Sequence, residues 1–285
     1  MQPTPVIAAE QLTMNAQPFL PNVSWLTNSL VVAVIVTILV LVWARRATRH
    51  IEVLPSRRQN AFEAIVEGLY SLFEGIVGRH MIPKVFPLLA TLLLFILASN
   101  WFGLVPGVGT IGWGKPAPGF LALDDVTTPL LRPANADLNT TVGMALFFMA
   151  WWVIWTLSEV GLGGFVKENF EPKGGIKGLL WYVLLPLFIF VGCIEMISIA
   201  FRPVSLSLRL YGNMYAGEAL LHTMTQLGLS LPVPLSWLAG IIFPLPFYFL
   251  ELLVGLLQAF VFALLCAVYI QQSTSHGGEE TESAH

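Results

Sequence analysis

Hydrophobic positions fall in long blocks of membrane-crossing length, divided by short polar stretches. The first block runs from Trp25 to about Trp43 around VVAVIVTILVLVW, and the second from about Val85 to Trp101, where NWFGLVPGVG supplies Gly and Pro residues that stop a helix. A third, through GMALFFMAWWVIWTL, covers about Thr141 to Val160. From Leu179 to Leu229 the chain is almost continuously apolar for about fifty residues, where a straight span needs only about twenty. This segment is either two spans with a tight turn near Arg202-Pro203 or one long, tilted helix kinked at Pro203. The residues around Arg202 lack the Gly, Asn or Asp of a reversing turn, which favours the single helix. The last block, Trp237 to about Ile270, follows the turn-like GLSLPVPLS, so the final two segments are expected to form a hairpin of long, inclined helices.

One stretch has a different period. In QNAFEAIVEGLYSLFEGIVG, Phe62, Ile65, Leu69, Leu72, Phe73 and Ile76 recur at helical spacing between Glu63, Glu67 and Glu74, which predicts an amphipathic helix on the cytoplasmic membrane surface. The pattern therefore predicts an all-α, polytopic membrane protein with about five crossing helices. It organises as an extracytoplasmic N-terminal arm (1–24), a membrane domain (25–270) and a polar, disordered tail (271–285).

Composition agrees: 56% of residues are hydrophobic and only 11% charged, which excludes an ordinary soluble domain. The net charge of -3 is small and no basic stripe is interleaved with aromatics, so no nucleic-acid surface is expected. Arg45, Arg46, Arg49, Arg57 and Arg58 follow the first span, and Lys167, Lys173 and Lys177 follow the third. Both clusters read as cytoplasmic, placing the N-terminus outside and the C-terminus inside. The long, Pro/Gly-rich loop from Gly103 to about Asn139 then lies outside. Cys193 and Cys266 sit in apolar runs without metal-ligand or disulfide spacing, so no cofactor or metal is expected.

Chemistry concentrates in the last two blocks, whose ionisable residues are Glu195, Arg202, Arg209, Glu218, His222 and Glu251. Within a membrane segment such groups are costly unless paired or wetted, and each is a functional candidate. Arg202 and His222 are also well placed simply to snorkel. Ser205, Arg209 and Asn213 share one helical face, while Glu218 lies about half a turn round and roughly 13 Å along from Arg209, too far for a local ion pair. Glu251 and Gln258 share a face of the last helix, and Gly255, Ala259, Ala263 and Ala267 form a small-residue stripe suited to close helix approach. An arginine stays protonated, so Arg209 is a fixed charge rather than a relay. Carboxylates away from it can exchange protons with a wet cavity, and together these are the parts of an ion path.

FRPVSLSLRLYGNMYAGEALL followed by LLQAFVFALLCAVYI resembles the signature of subunit a of F-type ATP synthases, supported in the same order by NWFGLVPG, PANADLNTT and CIEMISIAFRP. The resemblance implies a non-enzymatic, non-nucleotide-binding channel subunit of a bacterial inner (plasma) membrane complex, with the c-ring, subunit b and the other F0 and F1 subunits as protein partners. It implies that Arg209 faces the acidic residue of the c-ring and separates two half-channels. Asn213 and Gln258 match polar neighbours of that arginine. Glu195 with Ser198 matches the cytoplasmic half-channel, Glu218 the outer one, and Asp137 a position near the outer mouth. Glu251 stands where several relatives carry His, so the resemblance implies a Glu218–Glu251 pair able to share a proton. No Walker-type phosphate loop occurs, in agreement with the absence of nucleotide chemistry. A secondary transporter would be expected to show internal repeats, and an intramembrane enzyme a nucleophile–base pair or a metal motif such as HExxH; the sequence has neither.

Overall fold

The computed structural model describes residues 18–20, 23–49, 57–105, 108, 112–116, 123–129, 131–170, 179–230 and 235–282. Two short strands, β1 (Pro18–Leu20) and β2 (Val23–Thr27), pair antiparallel ahead of helix α1 (Asn28–Ala47). Helices α2 (Arg57–Val77) and α3 (Ile82–Gly103) follow, then a hairpin of β3 (Gly112–Pro116) and β4 (Leu123–Pro129). A 3-10 turn at Ala134–Ala136 leads into α4 (Leu138–Glu159) and α5 (Gly161–Phe170). The chain ends with α6 (Leu179–Leu229), α7 (Leu235–Ile242) and α8 (Leu245–Glu282). Among the described residues, five helices are long and apolar enough to cross a membrane, as the hydrophobic blocks predict. The first 17 residues of the expected N-terminal arm lie outside the described residues.

The fifty-residue apolar segment is a single helix. α6 runs 51 residues through Pro186 and Pro203 without a reversal, because lipid offers no alternative partner for backbone groups and a membrane helix absorbs the one hydrogen bond each proline removes. The last block does break, between α7 and α8. Pro244 has no N–H to donate to the preceding turn and disfavours helical geometry at Phe243, although Phe243 N still donates to Ala239 O at 2.9 Å. α8 then continues to Glu282, into the stretch whose composition marks a disordered tail.

Contacts divide the chain into two compact units. One comprises Met1–Val36, Ser99–Thr140 and Tyr211–Gly255; the other comprises Thr37–Ala98, Thr141–Leu210 and Leu256–His285. In the second unit Phe73, Leu89, Ile96, Phe148 and Phe262 are fully buried in one apolar core. The α8 stripe serves that core: Ala259, Ala263 and Ala267 have no exposed surface, and small side chains let helices approach closely where lipid provides no hydrophobic drive. The predicted amphipathic helix is α2. Its Leu69, Phe73 and Val77 are buried in the protein's own core, with Tyr70 edge-on to Phe86 at 5.1 Å, while Ile65 and Leu72 remain exposed. Gly78, at φ 87°, takes the left-handed conformation that closes α2, and its N–H donates to Glu74 O at 2.9 Å.

In the first unit the segment before α4 is held by side chains. Asn135 Nδ2 donates to Asn100 Oδ1 at 2.7 Å, and Asn100 Nδ2 donates to Gly255 O of α8 at 3.0 Å. Trp101 Nε1 donates to Leu252 O at 3.2 Å, so the end of α3 grips the turn of α8 that begins with Glu251. At the far end of α6, a Cβ on Gly228 would lie 2.5 Å from Ala239 O, a backbone approach that only glycine permits.

Candidate functional site

The first unit gathers a buried set of ionisable side chains. Glu251 is 6% exposed, and its carboxyl occupies the space beside Gly217 that any larger residue would fill. Glu218, the next residue on α6, is partly buried. Arg132 and His222 are the side chains that act on it electrostatically. His222 is one turn further along the same helix face. Arg132 enters from the segment before α4 and is 4% exposed. Glu218 Oε2, Glu251 Oε1 and the Tyr211 hydroxyl are buried with no hydrogen-bond partner among the described residues. Buried polar atoms are normally satisfied, which sets these three atoms apart.

Asp137 has a definite structural task. One oxygen accepts from Asn139 N at 3.1 Å and the other from Ser29 Oγ at 2.9 Å and Thr140 Oγ1 at 3.4 Å. That is an N-cap on α4, tied also to the first turn of α1. The carboxylate is 3% exposed.

The second unit holds Arg209, Glu195, Ser198 and Gln258. Arg209 is exposed on α6, between Leu208, itself 52% exposed, and buried Leu210. Among the described residues it has no hydrogen-bond or ion-pair partner. Ser205, one turn earlier on α6, is exposed, and so, in the first unit, is Asn213. Gln258 is buried on α8 at 5% exposure, and Ser198 is exposed. Glu195 pairs with Arg202, whose Nη2 donates to Glu195 Oε1 at 3.2 Å. Arg202 is therefore held in place rather than loosely snorkelling.

Sequence reasoning missed Arg132, Gly217 and the aromatic partners of Arg202. Arg132 immediately precedes the PANADLNTT stretch, so its signal was adjacent, but burial of a loop arginine is a tertiary property. Gly217 adjoins Glu218 and reads as one more small residue until α8 is packed against it. Among the described residues, no group of three or more His, Cys, Asp and Glu could ligate a metal ion.

Residues 26–271 match the family model described as ATP synthase A chain. Among curated relatives, the protein named ATP synthase subunit a of Trichlorobacter lovleyi is 33% identical over 270 residues, covering 94% of this chain and 96% of the relative. That of Geobacter sulfurreducens is 32% identical over 240 residues, 84% of each chain. That of Desulfotalea psychrophila is 34% identical over 228 residues, 80% of this chain and 76% of the relative.

Proposed function

The chain belongs to the ATP synthase A chain family, and on that premise we propose that it is the stator subunit through which ions pass to and from a rotating ring of small subunits in the membrane sector. The observation that carries this reading is Arg209, a cation exposed on a long apolar helix with no partner of its own among the described residues. A guanidinium facing lipid costs several kcal/mol. A carboxylate on an adjoining chain removes that cost, and the ring's acidic residue is the group that family membership suggests.

The chemistry follows from the permanence of the charge. A guanidinium carries a permanent charge, so Arg209 cannot pass a proton on. It favours the ionised form of any carboxylate that comes beside it, and a carboxylate that moves away into an apolar setting takes a proton up. Glu218 and Glu251 supply the outer half-channel, exchanging protons with water on one side and sharing one proton. Glu195, with Ser198, serves the inner half-channel. The family likeness makes Asn213 and Gln258 polar neighbours of the arginine, and Asp137, as the cap of α4, a residue of the outer mouth. Arg209 keeps the two half-channels from joining, so an ion crosses only when the ring turns. Each charge crossing the full potential delivers about 2.3 kcal/mol per 100 mV. The subunit binds no nucleotide; subunit b and the F1 sector complete the complex, in a bacterial inner membrane with the C-terminus cytoplasmic.

The test is ATP-driven proton pumping by the assembled complex in inverted vesicles carrying Glu218→Gln, Glu251→Gln or Glu195→Gln. The reading expects each variant to assemble and to pump at a reduced rate, with the dependence on inner-side pH altered in Glu195→Gln and that on outer-side pH in the other two. Unchanged pumping in all three would contradict it.

A further inference from the structure

Arg202 sits in a built box. Its guanidinium carbon lies 4.6 Å from the Tyr269 ring centre of α8 and 5.5 Å from that of Trp152 on α4. The box is itself tied, because Trp152 Nε1 donates to Tyr269 O at 2.9 Å. Arg202 Nη2 donates to Glu195 Oε1 at 3.2 Å and reaches Gln272 Oε1 at 3.5 Å. Residues 195 and 202 are two turns apart on one face of α6, and helical side chains lean toward the helix N-terminus, so the long arginine reaches back to the glutamate without strain.

The two partners are unequally placed. The Arg202 side chain is 11% exposed and that of Glu195 47%. The cation is fixed between two aromatic faces while the carboxylate is half-exposed. We propose that Arg202, clamped by Trp152 and Tyr269, is a positioning residue that holds Glu195 at one fixed point of the inner half-channel. The inference rests on the reading of Glu195 as part of that half-channel. A planar guanidinium suits the task because it stacks on rings with its faces and donates with its edge, which an ammonium cannot do. The groups paired with or stacked on the clamp are Trp152 from α4 and Tyr269 and Gln272 from α8; among the described residues neither Glu195 nor Arg202 has a further charged partner.

The experiment is ATP-driven acidification of inverted vesicles as a function of bath pH, which is the inner-side pH, for Arg202→Gln, Arg202→Lys, Glu195→Gln and the double variant Glu195→Gln/Arg202→Gln, each checked for assembly. Removing the group that fixes Glu195 is expected to give Arg202→Gln a bath-pH profile that no longer superimposes on the native one. Arg202→Lys, which keeps the charge and loses the stacking, is expected to fall between it and the native complex. The double variant is expected to behave as Glu195→Gln alone, because a residue acting only through Glu195 has no effect once Glu195 is gone. An Arg202→Gln profile superimposable on the native one, or independent effects in the double variant, would overturn the inference while leaving the Glu195 reading intact. An unchanged profile in Glu195→Gln would overturn both. If Arg202→Gln does not assemble, Arg202→Lys carries the same comparison against Glu195→Gln.

Discussion

The Glu251 carboxyl of α8 fills the space beside Gly217 of α6 that the Cβ of any other residue would occupy. The absent side chain on one helix thus sets the position of a carboxylate on the next, and the neighbouring residue on α6 is Glu218. The grip of Trp101 and Asn100 on Leu252 O and Gly255 O holds the turn of α8 that follows Glu251.

This makes Gly217→Ala an informative substitution. The atoms it would strike are the far end of a flexible side chain, which can swing away, so the complex is expected to assemble and keep most of its thermal stability. The displaced carboxyl is expected to lower pumping on the order of tenfold or more, since small misplacements of reacting groups are costly. Pumping and assembly measured on the same vesicles check this; native pumping in Gly217→Ala would show that the position of Glu251 is unimportant.

Asp137 separates a structural from a proton-carrying carboxylate. Asparagine preserves the cap acceptor, so Asp137→Asn is expected to retain pumping and stability. Asp137→Ala removes the cap and the bond from Ser29, and is expected to lose about 1 kcal/mol of stability, read as earlier thermal release of the subunit from the complex. Loss of pumping in Asp137→Asn equal to that in Asp137→Ala would assign the carboxylate to proton transfer instead.

Arg132 is a buried cation that acts electrostatically on Glu218. Arg132→Gln is expected to change the outer-side pH profile of pumping and to leave the inner-side profile unchanged, with Arg132→Lys closer to native. Vesicles with independently set lumen and bath pH make the comparison. A displaced inner-side profile would contradict it.

Much of this architecture was legible because a bilayer forces its signature on the chain: a spanning helix must be a long apolar run. The single α6 helix was legible from the residues absent around Arg202, and the packing stripe from Ala259, Ala263 and Ala267. The break before α8 was not legible, because Pro244 lies within the apolar run FPLPF. The polar face of α2 was legible, but burial of Leu69 and Phe73 against α3 depends on a neighbour that periodicity does not name. The same holds for the site. Charges inside apolar runs marked Arg209, Glu218 and Glu251, whereas Arg132, Gly217 and the rings around Arg202 act through contacts between segments distant in sequence.

In the proposed function Arg209 is a fixed charge without which ion flow and rotation cannot be coupled. The most direct measurement is ATP-driven proton pumping by the assembled complex carrying Arg209→Ala, beside Arg209→Lys and the native chain. Complete loss of pumping is expected in Arg209→Ala with assembly intact. Native-level pumping in Arg209→Ala would contradict it.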